Sequence, residues 1–471
     1  MADFSPMMRQ YLEIKSRNKE NIVFFRVGDF YEMFYDDAIL ASKELELTLT
    51  GKECGQEERA PMCGVPHHSA EAYIARLIEK GYKVAIAEQV EDPATAKGLV
   101  EREVVRVVTP GTVIENTMLQ DDRNNYLGSI YMEAGTAGVC FADISTGKAY
   151  TACFEGDDAV KLVLADLARF SPSELLFNSE VLKYRQVTDF VKSRLTCTVE
   201  LLDDSEFSKA NAMGHLAEQF GDALEASVDV KRDVPGLQAL GALLSYLAIT
   251  QKKGVERLKS VEQYSPAQYM HLSPITRVNL ELTETARGRE KKGTLLWVLD
   301  QTTTAMGRRL MRTWLDQPLM DAGAINARLD GVEELVGDNV RRLELSEALA
   351  GVFDMERLMT RVVYGSATPR DVAALGVTCE RLPGIRALLE GCTCSELAQL
   401  RAGVDPLQDL HVLITNTLAE ALPAKLGEGG VIRSGFDAEV DELRDTVSGG
   451  KGMLAAVESK LKEETGIRTL K

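Results

Sequence analysis

Hydrophobic residues in the first 112 positions follow two alternating periods. Helical spacing and strand-like apolar runs succeed one another at 7–14 (helix), 21–27 (strand), 37–46 (helix), 69–79 (helix), 84–88 (strand) and 103–109 (strand). A loop rich in glycine and charge lies between the second and third helices, and a turn at 109–112 closes the stretch. This alternation predicts an α/β domain with a mixed sheet.

A second α/β unit is predicted between residues 124 and 250. Its pattern gives strands at 126–133, 138–144 and 174–177, a hairpin turn at 145–147, and helices at 162–168 and 236–250. The last helix is apolar on all sides, which suits a helix that covers a sheet.

Beyond residue 252 the periodicity becomes almost entirely helical. Helices are predicted at 293–315, 325–336, 340–350, 371–389 and 407–421. A long charged helix follows at 435–462, and Ser448, Gly449 and Gly450 are expected to interrupt it. The fold class is therefore a multidomain one, α/β followed by all-α.

Composition narrows the class of protein. The 471 residues suggest three domains at about 150 residues each. No run of about 18 apolar residues occurs, and the start lacks a secretory signal, so we expect a cytoplasmic protein whose eight cysteines are reduced thiols. The net charge of −18 argues against indiscriminate binding to polyanions. A nucleic-acid function would need locally concentrated positive charge.

Two groups that contain cysteines and one glycine-rich segment are candidate binding sites. Cys54, Cys63, His67 and His68 carry zinc-ligand chemistry, but their spacing does not suit one ion, and Cys392 and Cys394 are too close together for a paired-thiolate site. We favour small buried or loop cysteines. Gly449–Gly452 resembles a phosphate loop in composition but follows a charged helix and lacks the required hydroxyl, which favours a flexible helix break.

A single carboxylate raises the possibility of nuclease chemistry. Asp143 ends an apolar strand, the position at which ribonuclease H-type nucleases place a metal-binding Asp. Two-metal catalysis needs several converging carboxylates, and Asp157 with Asp158 is more simply a solvated loop. A metal-dependent, structure-specific nuclease remains an alternative function.

The octapeptide at 28–35 concentrates aromatic residues. It places four aromatics in six positions, in a chain that is 6% aromatic. Such clusters more often belong to a core. Phe30, however, follows a strand and a Gly-Asp turn, where a side chain can project outward, and exposed aromatics commonly stack on bases.

The octapeptide and six further segments resemble the MutS family of DNA mismatch-recognition proteins. These segments occur in the family's order and approximate spacing, at 60–68, 88–93, 107–112, 143–147, 279–282 and 304–310. The resemblance covers essentially the whole chain.

The resemblance implies four parts and a mechanism. The parts are a mismatch-recognition domain (1–112), a ribonuclease-H-like connector without nuclease activity (122–252), a helical lever domain (258–432) and the beginning of a clamp domain (433–471). Phe30 would be the wedge that enters the base stack, and Glu32 would contact the base. No catalytic residue is expected in this chain.

Positive charge for the DNA backbone would come from the clamp. Its candidate contacts are Lys451, Lys460, Lys462, Arg468 and Lys471. A second group is better interpreted as solvated helix surface: Arg287, Arg289, Lys291 and Lys292.

Partners follow from the resemblance as well. We expect duplex DNA with mismatches or small loops, a mismatch-repair partner of the MutL type, and a homodimer for full-length members. ATP and magnesium are expected only for a C-terminal ATPase domain outside this chain, which ends within the clamp and is therefore expected to be truncated. No metal or cofactor is expected here. A protein-interaction scaffold without DNA binding remains the other alternative.

Overall fold

The computed structural model describes residues 4–91, 98–221, 224, 228–229, 233–252, 255–424 and 426–466, without the side chains of residues 448, 451, 453 and 455. The chain forms two compact units. The first comprises Met1–Gly337 and Asp354–Ser366, and the second comprises Asp338–Phe353 and Ala367–Lys471.

A six-stranded mixed sheet organises the N-terminal part of the first unit. Its elements are α1 (Pro6–Arg17), β1 (Ile22–Val27), β2 (Phe30–Phe34), α2 (Tyr35–Leu45), β3 (Thr50–Lys52), β4 (Ala60–Pro66), α3 (Ala70–Glu79), β5 (Val84–Gln89) and β6 (Arg102–Val108). The strand order is β3-β4-β2-β1-β5-β6, with β1 and β5 parallel and the other pairs antiparallel. The mixed sheet is confirmed, whereas β3 and β4 occupy a segment that the sequence predicted as a loop.

Helices cover both faces of this sheet. Successive strand residues such as Phe24 and Phe25 point to opposite faces. Helices α2 and α3 complete the core on one face, and α1 completes the core on the other. The buried hydroxyl of Tyr11 on α1 donates to Asp37 Oδ2 at 3.0 Å and to the Phe34 carbonyl at 3.1 Å. Helix α1 is thereby fixed to the end of β2.

A second six-stranded sheet follows. Its elements are β7 (Tyr126–Glu133), β8 (Thr136–Asp143), β9 (Lys148–Glu155), α4 (Ala159–Phe170), β10 (Glu174–Phe177), α5 (Arg185–Arg194), β11 (Thr198–Leu201), α6 (Lys209–Phe220), α7 (Val234–Gln251) and β12 (Ser260–Gln263). The order is β11-β10-β7-β8-β9-β12, and β7, β8 and β9 form an antiparallel meander. The apolar helix α7 covers one face and α4 with α5 cover the other, as the all-round apolar pattern of α7 predicted.

The remaining chain is helical, as expected. The first unit contains α8 (Pro274–Asn279), α9 (Leu295–Leu299), α10 (Ala305–Asp316), α11 (Ala322–Gly337) and α13 (Met355–Tyr364). The second contains α12 (Asn339–Ala350), α14 (Pro369–Leu388), α15 (Ser395–Gly403), α16 (Gln408–Thr417) and α17 (Ala438–Thr465). Among the described residues no helix has the length and apolar character needed to cross a bilayer.

Two helix predictions were wrong. The single helix at 293–315 is two helices, because Thr304 caps α10 through its Oγ1 and the preceding turn is held by Asp300, which accepts from the Thr302 hydroxyl at 2.6 Å. The interruption at 448–450 does not occur, since α17 continues through these residues. Glycine lowers helix propensity but keeps its N–H group, so the hydrogen-bond ladder survives it.

Candidate functional site

A tight hairpin presents the octapeptide. Strands β1 and β2 pair with Val27 opposite Phe30, which leaves Gly28 and Asp29 as a two-residue turn. Gly28 has φ +56°, a conformation that L side chains rarely adopt and that such hairpin turns require. The turn is further held by the His67 backbone N–H, which donates to the Asp29 carbonyl at 2.8 Å. Phe30 is thus the first residue of a strand rather than part of a loop.

The strand alternation divides the octapeptide between core and surface. Tyr31 and Met33 point into the core beneath α2 and α3, and Phe34 is buried against α1. Phe30 projects from the same face as Phe34, beyond the end of that core, and is 48% exposed. Tyr35 is partly buried against the same core as Phe34, so three of the four aromatics stabilise the fold, and Phe30 is available to a ligand.

Glu32 lies two residues along the same strand and on the same face as Phe30. Its carboxylate forms an ion pair with Lys52 Nζ, and both side chains are mostly buried, at 14% and 27% exposure. Lys52 also lies 5.8 Å from the centroid of the Phe34 ring. The exposed ring of Phe30 therefore lies on the same strand face as a mostly buried ion pair.

Lys52 is a site residue that the sequence analysis missed. It lies 20 positions from Glu32 and reaches it only because β4 pairs with both β2 and β3. Since β3 falls in a segment predicted as a loop, nothing in the spacing of these residues indicated the contact.

A polar network on the opposite face fixes the hairpin. The hydroxyl of Tyr31 donates to Glu88 on β5, and Arg26 Nη1 lies 3.7 Å from the same carboxylate. Burial first, and then the neighbouring Glu88 carboxylate, raise the pKa of Tyr31, so the phenol keeps its proton and remains a donor. The strand that carries Phe30 is thus held across the sheet.

The cysteines considered for zinc lie apart in the fold. Cys54 and Cys63 belong to the cores on opposite faces of the sheet, and their thiols donate to the Glu58 and Ala38 carbonyls. Burial raises the pKa of Cys63 to about 11. In the part of the chain that the structure describes, no three His, Cys, Asp or Glu side chains are grouped to hold a metal ion.

Asp143 closes a turn. Its buried carboxylate accepts hydrogen bonds from the Ser145 N–H at 2.9 Å, the Ser145 hydroxyl at 2.7 Å and the Asn125 N–H at 3.2 Å. Burial raises the pKa of this carboxyl. Asp158 instead pairs with Lys161 on the exposed surface. These contacts are those of a structural residue, and they do not assemble a two-metal site.

The proposed backbone contacts are only partly described. Arg468 and Lys471 lie outside the described residues, as does the side chain of Lys451. Lys460 and Lys462 are on α17, where each lies near a glutamate one helical turn away, at 4.0 Å and 2.5 Å. Two residues apart, they do not share a helix face. Their role as DNA contacts stays a prediction.

The other basic group is not a helix surface. Arg287, Arg289, Lys291 and Lys292 precede α9, and Lys291 pairs with Asp300 at 2.6 Å and with Asp122 at 3.4 Å. The ammonium group of Lys291 therefore stabilises the fold through these two ion pairs.

Three family models match successive parts of the chain. They are described as MutS domain I (residues 5–117), MutS domain II (125–262) and MutS domain III (275–465). The Phe30 hairpin lies in the first match, the second sheet in the second, and most of the helices in the third.

Curated relatives align along the full chain. A DNA mismatch repair protein MutS from Ruminiclostridium cellulolyticum is 45% identical over 471 residues, which are 100% of this chain and 54% of the relative. One from Lachnoclostridium phytofermentans is also 45% identical over 471 residues, covering 100% of this chain and 50% of the relative. The chain spans about half the length of the curated relatives it matches. The family resemblance of the sequence segments is confirmed.

Proposed function

Because the chain belongs to the MutS family, we propose that it recognises mismatched or looped-out bases in duplex DNA at the start of mismatch repair, with Phe30 as the wedge and Glu32 as the base contact. The observation that supports these roles is the exposed Phe30 ring beside Glu32 on one face of a rigid hairpin. The parts at 1–112, 122–252, 258–432 and 433–471 would act as recognition domain, connector, lever and partial clamp.

Insertion of an aromatic wedge favours mismatches through DNA deformability. Separating a base step costs a few kcal/mol, and stacking of the base on Phe30 returns about 1–3 kcal/mol. A mispair is already weakly stacked and paired, so its insertion cost is lower. Selectivity of this kind does not depend on reading particular bases, and it therefore accommodates many mispairs.

The Glu32–Lys52 pair explains how a carboxylate can sit at a DNA-binding edge. In the free protein Lys52 neutralises Glu32, so the polyanion does not meet an unpaired negative charge. When DNA binds, Glu32 can accept a hydrogen bond from a base donor while Lys52 turns toward a phosphate. A base that offers no donor leaves the carboxylate without a partner, which makes the pair a filter.

The glycine-rich segment is part of a helix and does not form a phosphate loop. Gly449, Gly450 and Gly452 lie inside helix α17, where their N–H groups bond to the helix and cannot cradle a phosphate. The MutL-type partner, the homodimer and nucleotide binding are proposed for the full-length protein.

Duplex titration tests the proposed function. We expect the chain to bind a heteroduplex more tightly than the matched duplex, weakly overall and with strong salt dependence, because the net charge is −18 and affinity must come from local phosphate contacts. Fluorescence anisotropy at two ionic strengths gives both results. Equal affinity for the two duplexes at low salt would refute mismatch recognition by this chain, and magnesium-dependent nicking would favour the nuclease.

The Glu32→Gln variant tests the contribution of the Glu32 charge to discrimination while the Phe30 ring is left intact. Removing one negative charge near phosphates should raise affinity for matched DNA by about five-fold, the equivalent of ~1 kcal/mol for one charge pair at close range in water. The gain in affinity for mismatched DNA should be no larger, so the ratio of mismatched to matched affinity should not rise and is expected to fall. The control is Glu79→Gln, which makes the same charge change on α3, against the opposite face of the sheet. A similar change in both variants would show that Glu32 acts only through net charge.

A further inference from the structure

Glu174 is a buried carboxylate at the start of a strand of the second sheet. It is the first residue of β10 and is fully buried, yet its hydrogen-bond donors come mainly from the first sheet's domain. We propose that Glu174 latches the Phe30-bearing domain to the second sheet and is a positioning residue for Phe30. The latch consists of Lys83, Thr109, Gly111, Glu174 and Tyr246.

Both oxygens of Glu174 are occupied. Oε2 accepts hydrogen bonds from the Thr109 hydroxyl and from the Gly111 N–H at 3.0 Å. Oε1 accepts from the Tyr246 hydroxyl at 2.7 Å and lies 3.6 Å from Lys83 Nζ. Three of these four contacts come from the first domain. A carboxylate removed from water needs such a complete set of partners, so opening the contact would leave a charge unpaired.

The phenol of Tyr246 remains protonated within the latch. Burial, and then the Glu174 carboxylate, raise the pKa of Tyr246, so its phenol remains a donor. Lys83 donates to the same phenol oxygen at 3.2 Å and to Glu200 at 2.5 Å at the rim of the contact. The Thr109 hydroxyl is also 2.9 Å from that of Thr112, and both threonines are fully buried.

Shape reinforces the charge contact. A methyl group on Gly111 would lie 2.9 Å from Glu174 Cβ and 3.0 Å from Leu127 Cδ1, so only glycine permits this approach. A second contact runs beside the latch, where Gln251 accepts from Arg106 Nε at 2.9 Å and donates to the Val107 carbonyl at 3.1 Å. The two domains are therefore fixed at two points along β6 and its following turn.

The latch connects to Phe30 through paired strands. Lys83 immediately precedes β5, and Thr109 immediately follows β6. In the sheet, β6 pairs with β5, β5 with β1, and β1 with β2, whose first residue is Phe30. Because a paired sheet moves as a unit, holding the ends of β5 and β6 sets the direction in which Phe30 points relative to the second sheet. The consequence for DNA rests on the proposed function; the latch itself does not.

Hydrogen exchange tests the latch without DNA. In Glu174→Ala the Gly111 amide should exchange roughly ten-fold faster or more, because it loses its acceptor and the contact opens, while amides of β7 and β8 keep their protection. Glu200→Ala is the matched control: it removes a carboxylate from the same lysine at the exposed rim and should leave Gly111 unchanged. If Glu174→Ala does not fold, Thr109→Val replaces it as the test. This variant keeps the shape and charge but removes the hydroxyl that donates to Glu174, so it should also accelerate exchange of the Gly111 amide. Unchanged exchange at Gly111 in a folded variant overturns the latch.

A double variant tests the positioning role. Glu174→Ala should reduce the heteroduplex-to-homoduplex affinity ratio, and combining it with Phe30→Ala should reduce the ratio no further than Phe30→Ala alone, since Glu174 acts through Phe30. If Phe30→Ala lowers the ratio and Glu174→Ala does not, the positioning role is wrong and the proposed function stands. If Phe30→Ala has no effect, the proposed function and the positioning role both fail, whatever the exchange result.

Discussion

Phe30→Ala reduces the preference for mismatched over matched duplex by about 5- to 150-fold, which corresponds to the 1–3 kcal/mol that a base gains by stacking on an aromatic side chain. Phe30 is 48% exposed, so its truncation should cost about 1 kcal/mol of stability or less. Phe30→Tyr keeps the ring and should largely retain the preference. Competition binding between the two duplexes measures the ratio.

The controls distinguish a wedge from a core residue. Phe353→Ala truncates an aromatic of similar exposure, 50%, in the second unit and should leave the preference unchanged. A melting temperature that falls in Phe30→Ala without any selective loss of heteroduplex binding would identify Phe30 as a core side chain.

Arg309→Met lowers the stability of the first unit by about 3–5 kcal/mol, because it removes the buried guanidinium that pairs with two mostly buried carboxylates. The Arg309 side chain is 3% exposed, and its guanidinium donates to both oxygens of Asp354, at 2.6 and 2.8 Å, and to Glu356 at 2.8 Å. Burial alone would lower the pKa of Arg309, but the two carboxylates outweigh it and raise the pKa. Urea unfolding monitored by circular dichroism measures the loss.

The effect of Arg309 should depend on pH in a defined direction. Burial alone would raise the pKa values of Asp354 and Glu356, but their charged partners outweigh it. Arg309 lowers the pKa of Asp354 below 3.8, and Lys148 and Arg309 together lower the pKa of Glu356 below 4.5. Stability from depressed carboxyl pKa values is present above those ordinary values and is lost as the pH falls below them. The difference between wild type and Arg309→Met should therefore shrink below about pH 4.

An exposed ion pair provides the comparison. Arg17 pairs with Glu13 on α1 at 2.7 Å, but both side chains are mostly exposed. Arg17→Met should change stability by about 0.5 kcal/mol or less. Equal losses in the two variants would show that burial of the Arg309 network contributes nothing.

Local pattern predicted most of the fold. The strand at 174–177 was predictable because three consecutive apolar residues follow Glu174, and the helix at 236–250 because it is apolar along most of its length. The structure has them as β10 and α7. Helix ends were less readable, since they depend on single caps such as Thr304 and on the tolerance of α17 for its glycines. Short strands such as β3, with three residues, carry too little pattern to be seen.

The site was predictable only in part. Phe30 and Glu32 were found because aromatics cluster in one short segment that resembles a known family. Lys52 and the Glu174 latch could not be found in this way, because both depend on strands that are distant in sequence and meet only in the folded sheets. Contacts of this kind come from topology, which local periodicity does not encode.

Photo-crosslinking addresses the contact between Phe30 and the mispaired base. A duplex carrying 5-iodouracil opposite guanine places a photoreactive base at a single mispair, and such bases crosslink to aromatic rings stacked on them. Peptide mapping should locate the crosslink at Phe30, with the matched duplex and the Phe30→Ala variant giving none. A crosslink that maps elsewhere in a protein that still prefers the mismatched duplex would contradict the assignment of Phe30 as the wedge.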